Sequence, residues 1–321
     1  MIEPDATLDS RLANGRFVRA GGVTYTGFVV RSGRIEIDSD PNEAAWRTVD
    51  ASGFFVLPAL VQPGSPLGQP ALAAAAAGVA TVVVTSDAPD FATLTRELEQ
   101  LAVSAQLDYV VAWRVPESST SADISGAIEH GVSTFDVVSI EHARTCMPET
   151  GDLTIRLPAH SLRDHALDRL PSSWLTVART ADQGEAIQLA STNERQRFIE
   201  LVLNDPDCDW RGLAAHSDRT FLSGGGDTLR SAFAMGVESS GVSPVAIARM
   251  TSINVAQAFR IDGRKHGLEP HADADFVVFD PEETGDPDPQ FGKVIFSMLR
   301  GEILLFNDDL HTAPSDGMRL P

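Results

Sequence analysis

Residues 56–70 read VLPALVQPGSPLGQP. The uncharged apolar run over 54–61 predicts a strand buried on both faces, the kind found in parallel sheets. The prolines at 63 and 70 predict a stiff loop behind it, because each fixes its own φ. A buried parallel strand needs neighbours reached by crossover connections. Further apolar runs supply them at TVVVTS (81–86), YVVAWR (109–114), STFDVVS (133–139), LTIRLP (153–158), WLTVAR (174–179), IQLA (187–190) and WRGLAAH (210–216).

Helical patterns lie between several of these runs. In TLTRELEQLA, Leu94, Leu98 and Leu101 fall on one face, and TNERQRFIELVL brings Phe198 and Val202 together. Ser243 and Pro244 have the chemistry of an N-cap and a first helical residue ahead of VAIARMTSINVAQAF. Strands alternating with helices predict an α/β fold, a (β/α)8 TIM-like barrel that is shortened if the weak seventh run fails. Both chain ends are different. RFVRAGGVTYTGFVVRSGRIEI near the start and KVIFSMLRGEILLF near the end are short, β-rich and glycine-punctuated. They predict one small β-sandwich built from residues 1–53 and 262–321, with 54–261 as the barrel.

Composition bounds the function. The chain has 321 residues, 43% of them hydrophobic, and a formal net charge of −20. Such a field repels nucleic acid and anionic membranes. Lys265 and Lys293 are the only lysines, a bias expected either of a salt-rich cytoplasm or of a high-GC genome. No apolar run reaches membrane-span length, and MIEPDATLDS is unlike a secretory signal, so the sequence predicts a cytoplasmic protein. Cys146 and Cys208 form neither a disulfide framework nor a metal spacing. SGGGD (223–227) lacks the Lys-Ser/Thr of a phosphate loop, and His130 and Glu141-His142 fall in connecting segments.

The strand end VLPALVQP, the helix TSINVAQAF and the closing GLEPHADADFVVFDP together resemble the amidohydrolase superfamily. Within it they are most similar to the cyclic amidohydrolases: dihydroorotase, hydantoinase and allantoinase. GVATVVVTSDAPD resembles that group's second strand and following loop, which places Asp87 where a substrate-binding asparagine stands. The resemblance implies one or two divalent metals that polarise a ring amide and activate a water. It also implies Asp-Pro-His-x-His at the end of the first strand and, in dihydroorotase, Leu-Arg-Glu-Pro after it. Here the residues run Gln62, Pro63, Gly64, Ser65, Pro66, Leu67, Gly68, Gln69, Pro70. The prolines at 63 and 70 and the leucine remain, and the ligands and the arginine clamp are gone.

Four residues are left as candidate ligands. Asp136 stands near the bridging position after the fourth strand, where it either binds an ion or pairs with an arginine. His160 falls two residues late after the fifth strand, where it either binds or simply opens a helix that also holds His165. His216 aligns with the family's metal-site aspartate and general base after the last strand, and Asp218 replaces it if the loop has shifted. No histidine follows WLTVARTADQGEA.

The resemblance therefore implies an amidohydrolase relative that has lost metal-dependent hydrolysis, needs no cofactor, and acts as a non-catalytic binding or structural partner, as a homo-oligomer or with another protein. The alternative is a hydrolase of cyclic amides or other non-peptide C–N bonds, with zinc or another divalent metal in a rearranged mononuclear site. A third reading is a small-molecule binding module at the barrel mouth.

Overall fold

The computed structural model describes residues 8–40, 42–66, 71–162, 170–192, 198–203, 208–224, 236–237, 240–265, 267–280, 293–307, 309–311, 318 and 320. The opening stretch carries the chain from one sheet into another. Its first part is β7 (Phe55–Pro58), which pairs with Phe276–Asp280 near the C-terminus. After Ala59 it becomes β8 (Leu60–Pro66), the first barrel strand. The apolar run over 54–61 is thus two strands rather than one, because both halves are buried and composition does not mark the sheet boundary. Residues 67–70 lie outside the described residues.

Eight strands follow one another in a parallel sheet: β8, β9 (Val79–Ser86), β10 (Asp108–Arg114), β11 (Thr134–Asp136), β12 (Thr154–Pro158), β13 (Leu175–Thr180), β14 (Phe198–Val202) and β15 (Thr220–Ser223). Between them run α1 (Ala71–Ala76), α2 (Phe91–Ser104), α3 (Ser121–Glu129), α4 (Ile140–Cys146), a 3-10 turn (Ala159–Leu162), α5 (Gln183–Thr192) and α6 (Trp210–Ala214). This is an eight-stranded parallel (β/α) barrel in which, among the described residues, the connection after β12 holds a 3-10 turn in place of an α-helix. Helix starts are set by side chains. Asp90 accepts from the Thr93 amide at α2, and Thr120 and Asp123 form a reciprocal capping box at α3. Leu94, Leu98 and Leu101 are the buried face of α2, as their spacing predicts. Ser243 caps α7 (Pro244–Ala248), which continues through a π turn (Arg249–Ile253) into α8 (Asn254–Ala258).

The last two strand assignments from sequence need correction. IQLA (187–190) lies within α5, and WRGLAAH (210–216) holds α6, whose N-cap Asp209 accepts from the Gly212 amide. The seventh strand is instead Phe198–Val202, which the sequence pattern assigns to a helix, and the eighth is Thr220–Ser223. Short apolar runs satisfy either periodicity, and Glu200 in the middle of FIELV makes that strand look amphipathic.

The N-terminal ends of the barrel strands are closed. Thr154 Oγ1 donates to the Ala258 carbonyl (2.9 Å), and Asn254 Nδ2 donates to the carbonyls of Ser217 (2.7 Å) and Thr220 (2.8 Å). Val61, Val83, Val110 and Val177 pack there against Ala256, Ala258, Phe259 and Ile261. The C-terminal strand ends form the opposite end of the barrel.

Two further sheets join the chain's ends. A seven-stranded sheet orders β19 (Asp309–Leu310), β18 (Glu302–Phe306), β17 (Lys293–Leu299), β16 (Phe276–Asp280), β7, β2 (Arg16–Arg19) and β3 (Gly22–Thr24). A four-stranded sheet orders β5 (Arg34–Ile37), β4 (Phe28–Arg31), β1 (Leu8–Ala13) and β6 (Ala45–Asp50). They face each other across Leu12, Phe17, Phe28, Val30, Ile35, Phe276, Phe296 and Met298. Two hairpin tips meet at the edge of this sandwich. Gly33 has φ +74°, and a Cβ there would stand 2.5 Å from the Arg300 carbonyl oxygen, so glycine is required twice over. No helix among the described residues is long and apolar enough to cross a membrane.

Candidate functional site at the barrel mouth

In parallel barrels the chemistry belongs to the C-terminal ends of the strands. At the end of β8 the ladder to β9 shifts register between Pro63 and Ser65, leaving Gly64 as a bulge with φ +82°. Gly64 and Pro66, which the sequence resemblance aligns with a histidine pair, have no side-chain ligand atom. At the end of β9, Asp87 forms an exposed ion pair with Arg114 from the end of β10 (2.5 Å). Ser86 beside it donates to Glu97 of α2 (2.6 Å). The Asp87 carboxylate is thus already engaged by a neighbouring arginine.

The interior between β11, β12, β13 and β14 holds a cluster of charge. Register places Asp136 beside Arg156, and Arg179 beside Glu200, on adjacent parallel strands. Arg156 is 1% exposed and Glu200 0%, and Asp136 is also buried at 8%. Arg156 donates Nε to Glu200 (3.0 Å), Nη2 to both Glu200 oxygens (2.9 and 2.8 Å) and Nη1 to Asp136 (2.8 Å). This fork-on-carboxylate geometry is the strongest that arginine makes. Below it the Phe259 ring lies 5.7 Å from the guanidinium carbon. Arg179 is half-buried and reaches Glu200 at 3.4 Å.

Burial raises the Asp136 pKa above the usual carboxylate range; Arg156 opposes that shift and Glu200 adds to it. Burial would also depress Arg156, but Asp136 and Glu200 outweigh it and hold the guanidinium above its ordinary value. The cluster is a neutral set of two carboxylates and two guanidinium groups, completed without an external ion.

The remaining candidates are dispersed. His160 sits in the 3-10 turn directly after β12, at the mouth and exposed. His216 and Asp218 follow α6 and precede β15, so they lie at the N-terminal end of the last strand, opposite the mouth. Their alignment with a residue after the final strand depends on reading 210–216 as that strand, and the segment is helical. Asp218 pairs with the adjacent Arg219 (3.1 Å). The residue that does end β15 at the mouth is Ser223, 2% exposed. Asp227 and His165 lie outside the described residues.

The described residues bring three carboxylates close enough to share an ion at one place, Asp108, Asp273 and Asp275. This place is at the closed end of the barrel and is filled by Lys265. Its ammonium bonds Asp108 (2.6 Å), Asp273 (3.1 Å) and Asp275. One of the chain's two lysines thus joins β10 to the start of β16. Neither carboxylate group fits a metal as it stands: one is satisfied by an ammonium, the other by a guanidinium.

Arg156, Glu200 and Arg179 are absent from the sequence reading. Their signal is a charge inside an otherwise apolar strand, R in LTIRLP and E in FIELV.

No protein-family model matches the sequence, and no curated protein does. Solved structures match over nearly the whole chain. The dihydropyrimidinase from Brevibacillus agri NCHU1002 superposes with a TM-score of 0.78 at 14% identity, over 97% of this chain and 98% of that one. The L-hydantoinase from Arthrobacter aurescens gives 0.73 at 14%, over 98% and 99%. The chain has the cyclic amidohydrolase fold. The beta-aspartyl dipeptidase from Fervidobacterium islandicum AW-1 shares the fold as well, at a TM-score of 0.67 and 13% identity over 94% of this chain and 98% of that one. At these identities it is the amidohydrolase fold that is shared, and the arrangement at this barrel mouth is read from this chain's own residues.

Proposed function

We propose that this chain is an amidohydrolase-fold protein that has given up metal-dependent hydrolysis and serves as a non-catalytic binding or structural partner, through self-association or with another protein. The reading is supported by one observation above the others: the buried carboxylates of Asp136, at the end of β11, and Glu200, in the middle of β14, are both bonded to Arg156. Polarising an amide carbonyl and lowering the pKa of a bound water require an ion with an open coordination position. With Gly64 and Pro66 at the first strand end and the guanidinium between the carboxylates, the donor set does not fit such an ion. In this reading residues 1–53 with 262–321, and 54–261, are the protein's two domains, save that β7 (Phe55–Pro58) pairs into the sandwich sheet, and the barrel supplies shape rather than chemistry.

A rearranged mononuclear site drawn from Asp136, His160, His216 and Asp218 finds no supporting geometry, since two of the four stand at the opposite end of the barrel from the other two. The test is turnover of hydantoin, dihydrouracil and dihydroorotate by untagged protein, with and without added zinc or manganese. The reading predicts no hydrolysis above buffer background. Turnover that is abolished in Asp136→Asn would overturn it.

A further inference from the structure

We infer that Arg156 is the resident cation of a cation site that the barrel still keeps, and that removing its side chain leaves a vacancy which a small external cation fills. The inference rests on the reading of the mouth as metal-free. Three features carry it. First, the guanidinium is held on two sides by carboxylates from different strands, Nε and Nη2 bonding Glu200 and Nη1 bonding Asp136. Second, Arg156 and Glu200 are buried, so solvent screens their charges poorly and an unbalanced carboxylate there is costly. Third, the vacancy has a floor, the Phe259 ring, whose face favours a flat cation.

Charge sets what would enter. With Arg156 present, two carboxylates balance Arg156 and Arg179. Without it, Asp136 and Glu200 face one another across a buried space with Arg179 as the remaining near cation, a net charge of about −1. Two carboxylates that cannot both stay ionised unaided will take up a proton or a cation. The shape left behind is that of a guanidinium, with two bond directions toward Glu200 and one toward Asp136. Guanidinium ion is therefore the first probe, and manganese, which prefers oxygen ligands, the second.

The experiment is thermal unfolding of wild type and Arg156→Ala in 20 mM guanidinium chloride, in 2 mM manganese chloride and in choline chloride of matched ionic strength. The expected result is a clear loss of Tm in Arg156→Ala, partly restored by guanidinium or manganese by about 2 °C over choline, with no such gain in the wild type. No ion-specific gain in the variant, or an equal gain in the wild type, would overturn the inference. Should Arg156→Ala not fold, Arg156→Met, Glu200→Met and the double variant decide instead. If the arginine serves as counterion, the double variant melts above both singles, and a double variant at or below them refutes it. Failure here leaves the non-catalytic reading standing on metal content and turnover, neither of which depends on a substitution at Arg156.

Discussion

Glu200→Gln removes one charge from the buried cluster while keeping its volume. Glu200 is wholly buried and accepts three bonds from Arg156 at 2.8–3.0 Å. The amide retains one acceptor oxygen, but its nitrogen turns a donor toward a group that can only donate. The guanidinium then keeps Asp136 and the one amide oxygen, but loses the second acceptor and the opposite charge on its Glu200 side. Breaking a buried pair from one side costs about 3–5 kcal/mol. With an unfolding entropy of about 2.1 cal/mol/K per residue over 321 residues, that is a fall in Tm of roughly 4–7 °C. Asp136→Asn is the internal control. Asp136 accepts one bond from Arg156, and an asparagine oxygen can still accept it, so the cost is about 1 kcal/mol. Urea unfolding followed by circular dichroism, with thermal unfolding beside it, measures both. A Glu200→Gln variant within about 1 kcal/mol of wild type, or an Asp136→Asn variant as damaged as Glu200→Gln, would refute the assignment of Glu200 as the principal partner.

Other outcomes follow from the same geometry. Because burial holds the Asp136 carboxyl above its unfolded value, its contribution is fully present below about pH 3.8 and is lost as pH rises through the raised folded value. The wild type should therefore gain stability relative to Asp136→Asn as pH falls from neutral toward 4; a difference that moves the other way contradicts this. Lys265→Met leaves Asp108, Asp273 and Asp275 converging in a buried site with only the flanking arginines, and should cost about 3–5 kcal/mol in urea unfolding. Gly33→Ala should cost at least about 2 kcal/mol, through its positive φ and the close Arg300 carbonyl, whereas Gly53→Ala, with φ +85° and open space, should cost about 1 kcal/mol. Equal losses would mean that the hairpin contact carries no weight.

The architecture is legible in the sequence where long patterns agree with local chemistry. Leu94, Leu98 and Leu101 with Asp90 define α2, and Ser243-Pro244 marks the start of α7. It is illegible where an element is short. Ile187 to Ala190 and Trp210 to Ala214 are apolar runs that fit a strand or a helix equally, and Asp209, capping α6, is the local signal that separates them. The site is harder for a different reason. The absence of ligands at Gly64 and Pro66 is visible residue by residue. The presence of Arg156 between Asp136 and Glu200 is not, since the three come from separate strands and only the pairing of β11 through β14 brings them together. A charge in the middle of an apolar strand is the one trace that the cluster leaves in sequence.

The central claim is that a side-chain cation, Arg156, occupies the buried carboxylates of the barrel in place of a metal, and elemental analysis of the untagged protein, purified without chelators, tests it most directly. The account predicts zinc, manganese and iron far below one ion per chain, before and after incubation with each metal and desalting. Near-stoichiometric metal that disappears in Asp136→Asn or His160→Ala would contradict it and return the barrel mouth to hydrolytic chemistry.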